Sequence, residues 1–89
     1  MKYPYMTLGD NTEITHSGIQ PDQSVKVYIE TPVRGGFHHA TCILPAYRWV
    51  DITGYSEEEI ADYTDFLHHN AHLILEFAAI GGFLNAAAV

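Results

Sequence analysis

GYSEEEIADYTDFLHHNAHLILEFAAIGG, residues 54–82, is the stretch from which the rest of the chain can be placed. Ser56 is a strong helix N-cap, and Glu59, three residues on, completes a capping box. Glu57, Glu58 and Glu59 fall in the first turn, where the helix dipole favours negative charge, and Tyr55 is positioned to staple onto Ile60. Gly81 and Gly82 are C-terminal stop signals. The spacing therefore predicts one helix over residues 56–80, about 24 residues and roughly 36 Å long.

At about 100° per residue the helix sorts into two faces. Ile60, Tyr63, Leu67, Ala71, Ile74 and Ala78 form an apolar stripe flanked by Phe66, Leu73 and Phe77. Glu58, Asp62, Asp65, His69, His72 and Glu76 lie opposite, with His68 near the boundary. Asn70 falls amid the stripe, where a polar side chain must find hydrogen-bond partners, expected to be backbone groups of a neighbouring strand or loop. A stripe this broad needs an apolar partner layer.

That layer lies upstream, where the period changes to two. In VKVYIE, Val25, Val27 and Ile29 alternate with Lys26, Tyr28 and Glu30; in FHHATCIL, Ala40, Cys42 and Leu44 alternate with His39, Thr41 and Ile43. Residues 31–36, TPVRGG, are expected to break the first strand and connect it to the second. YRWVDI, residues 47–52, gives a third strand, so residues 25–52 form an antiparallel meander. Residues 1–17 form a hairpin of YPYMTL and TEITHS joined across Gly9, Asp10 and Asn11, whose Gly and Asx chemistry suits left-handed turn positions. GIQPDQS, residues 18–24, connects hairpin to meander. The tail FLNAAAV, residues 83–89, is expected either to fray or to dock through Phe83 and Leu84. The fold class is α+β: one domain over residues 1–89, in which an antiparallel sheet packs against one long C-terminal helix. The sheet face away from the helix is expected to carry Tyr28, His39 and Tyr47 or Trp49, and to be covered by a partner or a second copy.

Composition narrows the function classes. With 47% apolar and 12% aromatic residues, 89 residues carry a single core. No apolar run approaches the roughly 18 residues of a membrane span, and the N-terminus lacks a signal-peptide core, so a cytoplasmic protein is expected. The net charge is −7, with four Lys plus Arg against eleven Asp plus Glu. Scattered Lys2, Lys26, Arg34 and Arg48 make a poor phosphate-binding surface, which argues against nucleic acid; the acidity itself reads either as attraction for a basic partner or simply as solubility. Cys42, the single cysteine, sits in an apolar run as a buried thiol and forms no intrachain disulfide.

Candidate chemistry concentrates in histidine. Asp65 and His69, His68 and His72, and His72 and Glu76 are each spaced i,i+4 on the helix, so His68, His69, His72, Asp65 and Glu76 are the candidate ligands for Zn²⁺ or another divalent ion. The helical zinc motif H-E-x-x-H is absent, because HHNAH has His where the general-base Glu belongs. His38 and His39 are adjacent strand residues that face opposite ways and cannot readily grip one ion together, and no serine, cysteine or carboxylate partner is fixed beside either. TPVRGG is no phosphate loop, since it lacks the glycine and lysine spacing and no helix follows it directly. Tyr47, Trp49 and Tyr55 around Arg48 have the interleaving of a base-stacking surface, but one arginine among excess acids favours core and rim packing. No catalytic set assembles.

TEITHS, VKVYIE, GFHHATCILP, GYSEEEI, NAHLI and GGF together resemble a set of short, uncharacterised bacterial proteins, a likeness covering most of the chain but attaching no activity to it. The meander followed by a helix is also similar in topology to the partial RNase H-like core of HicB-type antitoxins, without their DNA-binding appendage. These residues and resemblances imply a small non-catalytic interaction module, possessing a protein partner or forming a homo-oligomer and requiring no cofactor. The alternative expectation is a divalent-metal-binding or metal-dependent hydrolytic protein built on the helix histidines.

Overall fold

In the computed structural model, which describes residues 1–81, the capping box forms as expected. Ser56 Oγ accepts from the Glu59 N–H at 3.1 Å, and Glu59 Oε1 accepts from the Ser56 N–H at 2.9 Å. Helix α1 runs Glu57–Ala79, and Gly81, at φ 85°, takes the left-handed position that ends it. Residues 83–89, including Phe83 and Leu84, lie outside the described residues.

Five strands precede the helix: β1 (Tyr3–Thr7), β2 (Glu13–His16), β3 (Val25–Val33), β4 (Gly36–Leu44) and β5 (Arg48–Thr53). They form one antiparallel sheet in sequence order, so hairpin and meander are continuous, joined by the β2–β3 pairing. The β1–β2 turn uses the chemistry predicted for it: Asn11 has φ 67°, and Asp10 Oδ1 accepts from the Thr12 N–H at 3.0 Å.

The connection between β3 and β4 is much shorter than its composition indicates. Thr31, Pro32, Val33 and Gly36 belong to strands, paired as Thr31↔His38, Pro32↔Phe37 and Val33↔Gly36, which leaves Arg34 and Gly35 as the turn. Proline is tolerated there because β2 begins at Glu13, opposite Glu30, so β3 beyond Glu30 has no ladder partner on that side. Gly35, at φ 88°, supplies the left-handed turn residue. The last strand starts at Arg48 rather than Tyr47, whose own φ of 57° takes it out of the ladder.

The core lies between the sheet and α1. Ile14, Val25, Val27, Ile29, Ala40, Cys42 and Leu44 meet Leu67, Ala71, Ile74 and Ala78. Both edge strands then bracket the helix with aromatic side chains. From β5, Trp49 Nε1 donates to Thr64 Oγ1 at 3.0 Å; from β1, the Tyr5 hydroxyl donates to Asn70 Oδ1 at 2.6 Å. Tyr47 and Trp49 thus lie on the covered side of the sheet, contrary to the expectation that one of them joins Tyr28 and His39 on the outer face. The register explains it: Trp49 is paired with buried Cys42, so the two share a face.

Candidate interaction surfaces

The helix histidines diverge. His68 stacks on Tyr47, with ring centroids 4.0 Å apart and planes at 17°, which draws it toward the sheet edge. His69 Nδ1 donates to its own helix, to the Asp65 backbone oxygen at 2.7 Å, so the Asp65 carboxylate is not its partner. His72 and Glu76 are exposed and form neither a hydrogen bond nor an ion pair with each other. Among the described residues, no three His, Cys, Asp or Glu side chains converge closely enough to hold a metal ion.

The helix instead presents charge of one sign. Glu57, Glu58, Glu59, Asp62, Asp65 and Glu76 make up six of the eleven acids, and α1 contains no Lys or Arg. The first three serve the capping box and the dipole. Asp62 and Asp65 lie beyond the first turn, and Glu76 lies near the C-terminal end, where the dipole disfavours a carboxylate. Among the described residues the one ion pair is Lys2 with Glu30, at 3.1 Å on the sheet, so none of the helix acids is neutralised.

The uncovered sheet face is mixed. Lys26, Tyr28, Glu30, His39, Thr41 and Ile43 project from β3 and β4, and the Lys2 ammonium lies 4.2 Å from the Tyr28 ring centroid. Asp51, at φ 54°, forms a bulge between the Thr41↔Val50 and His39↔Thr53 pairs. It thereby joins Lys2, Tyr28, Glu30 and His39 around a concavity of about 370 Å³. As the alternation predicts, His38 and His39 separate: His38 packs edge-on to Tyr55 under the helix side, and His39 faces out. Phe37, 60% exposed at the β3–β4 tip, is the large apolar side chain this face leaves to water.

Several internal polar groups have structural work. Asn70 bridges Tyr5 and the Phe66 carbonyl oxygen of its own helix, 2.8 Å from its amide nitrogen; the partner is a strand side chain, not the strand backbone. Thr12, Thr31 and Tyr55 form a hydroxyl chain, with oxygens 2.6 and 2.7 Å apart, that ties the first turn to the helix entrance. Burial raises the Tyr55 hydroxyl pKa, and burial pushes the Cys42 thiol up to about 11, so Cys42 is a core residue and no nucleophile at neutral pH.

Sequence patterning alone missed two features. His16 is fully buried beside Tyr3, its Nδ1 donating to the Ser17 carbonyl oxygen at 2.8 Å while Nε2 has no partner. Its period-two phase with Ile14 was the available signal. Lys26 and Arg48, far apart in sequence, flank Ile43 in one cross-strand row; only the register between β4 and β5 reveals that. No described helix is long and apolar enough to cross a membrane. No protein-family model, curated protein or solved structure matches the chain.

Proposed function

We propose that this chain is a small, non-catalytic protein-interaction module that presents the outer face of α1 to a basic protein, in the manner of an antitoxin-like or other regulatory partner. The observation that carries the reading is the unneutralised carboxylate face: Glu58, Asp62, Asp65 and Glu76 share it, the helix has no Lys or Arg, and Glu76 is placed against the dipole. Helix stability accounts for the first-turn acids. It does not account for Asp62, Asp65 and Glu76, whereas attraction of a cationic partner does.

The test is co-purification from the native host at low ionic strength, followed by cross-link mapping. A specific protein of net positive charge should cross-link to α1, dissociate as salt is raised, and be lost from the combined Asp62→Asn, Asp65→Asn, Glu76→Gln variant. Circular dichroism should report that variant as folded, because all three side chains are exposed. Retention of the partner by the variant, cross-links confined to the sheet, or a strictly monomeric chain that recovers no partner would each sink the reading.

A further inference from the structure

Two of the chain's four Lys and Arg residues, far apart in sequence, are brought into one row by the register. Lys26 pairs across to Ile43, and Ile43 pairs on its other side with Arg48. The two cations therefore stand in one row on the uncovered face, about 9.5 Å apart at the backbone across two strand spacings. Arg48 is committed to that face because Trp49, its neighbour, faces the helix, and because Tyr47 turns at φ 57° to stack on His68. Neither cation is in an ion pair among the described residues, whereas Lys2 is held by Glu30 and Arg34 stands alone at the β3–β4 turn.

A concavity of about 440 Å³ lies against this row, walled on its other side by the loop between β2 and β3. The half-buried Ile43 side chain lines it between the two cations. Gln20 uses one amide hydrogen on the Gly18 carbonyl oxygen at 3.1 Å and retains a second. Asp22 is the opposing charge on the rim. Its Oδ1 already accepts from the Ser24 N–H at 3.0 Å and the Ser24 hydroxyl at 2.5 Å.

We propose that Lys26 and Arg48, which line this concavity on either side of Ile43, form a binding site for the oxyanion of a small phosphorylated or carboxylated molecule. Arginine offers a planar fork matched to two oxygens of such a group, lysine a point charge from the far side, and Gln20 a neutral donor. Asp22 opposes the ligand and sets the affinity low. The site is on the opposite layer from the helix carboxylates and does not depend on their role.

Amide NMR titration of the intact chain tests it, with pyrophosphate and citrate as probes at constant ionic strength. Saturable shifts centred on Lys26, Ile43 and Arg48 are expected, weakened about fivefold or more by Arg48→Ala and by Lys26→Ala. Asp22→Asn should tighten binding by about two- to threefold, a change that mere loss of surface structure would not produce. Saturation by pyrophosphate alone identifies a phosphoryl ligand, and saturation by citrate alone a polycarboxylate. Non-saturating shifts, equal shifts around Arg34, or indifference to both alanine variants would overturn the proposal. All three substitutions are at exposed positions, and the amide spectrum itself reports whether each variant is folded.

Discussion

The two faces of the sheet are made by the same strands one residue out of phase, yet they meet different constraints. Beneath α1, Ile14, Val25, Val27, Ile29, Cys42 and Leu44 are at most 1% exposed. On the other side the intervening residues of β3 and β4 are Lys26, Tyr28, Glu30, Phe37, His39, Thr41 and Ile43, a set no dry core would hold. A slip of one residue would exchange the two sets, so the aliphatic face fixes the register of the central strands. Once it has, the open face is free to vary. Core packing thus places Lys26 and Arg48 in one row, on either side of Ile43, without depending on either of them.

Truncation should separate the faces most sharply. Leu67→Ala or Ile74→Ala, each at a fully buried site, is expected to cost about 2–5 kcal/mol, read from denaturant unfolding midpoints at unchanged slope. Phe37→Ala, at a side chain left 60% exposed, should cost less than about 1 kcal/mol. Equal losses on the two faces would mean that the open face is itself buried in solution, by a second copy.

The next largest effect is a pH dependence confined to the covered face. Burial raises the Cys42 thiol from its ordinary 9.0 to about 11. Folding therefore favours the neutral thiol, and the unfolded chain loses this proton first. The contribution is intact below pH 9 and is lost as pH rises through about 11, a fall approaching about 2–3 kcal/mol. Cys42→Ala should remove that component of the alkaline decline while leaving the rest. An unchanged alkaline profile in the variant would mean the thiol reaches water in the native state.

Gly54 sits where the covered face meets the helix entrance. At φ 91° it occupies backbone space that a side chain rarely adopts, and a Cβ there would lie 2.2 Å from His38 Cδ2. His38 cannot simply withdraw, since its ring packs 5.5 Å from Tyr55, which packs 5.3 Å from Tyr63 on α1. Gly54→Ala is expected to cost about 1–3 kcal/mol and to broaden the Tyr55 and Tyr63 ring signals. A stability within error of the parent would show that this junction yields.

The layers of this domain are legible from its residues because the strongest patterns are also the most buried. Val25, Val27 and Ile29 alternate without exception, and Leu67, Ala71, Ile74 and Ala78 hold one helix stripe. Leu73, placed as a flank of that stripe, is instead 36% exposed, which shows how narrow the true contact is. The edge strands are where patterning fails. The β5 bulge at Asp51 and the left-handed Tyr47 are backbone choices that no periodicity encodes, and they decide which way Tyr47 and Trp49 face. The β3–β4 turn is obscured for a related reason: Pro and Gly are poor strand formers, but cross-strand pairing overrides propensity at a hairpin end. The candidate surfaces were half legible. Helix periodicity alone collects the carboxylates, while the cation row needs two strand registers.

The smallest effect carries the opposite sign. Glu76 is exposed near the C-terminal end of α1, with no basic residue in the last turn to offset it. Glu76→Gln removes a carboxylate from the negative end of the helix dipole, so it should stabilise the fold by about 0.3–1 kcal/mol at low salt, and less as salt is raised. Glu58→Gln, at the positive end, should destabilise by a similar amount under the same conditions. If α1 docks a basic protein, both substitutions weaken that complex even though their effects on stability diverge. A helix shaped by stability alone would show the divergence in thermal unfolding and no common loss of binding. The pair therefore separates a carboxylate kept for the fold from one kept for a partner.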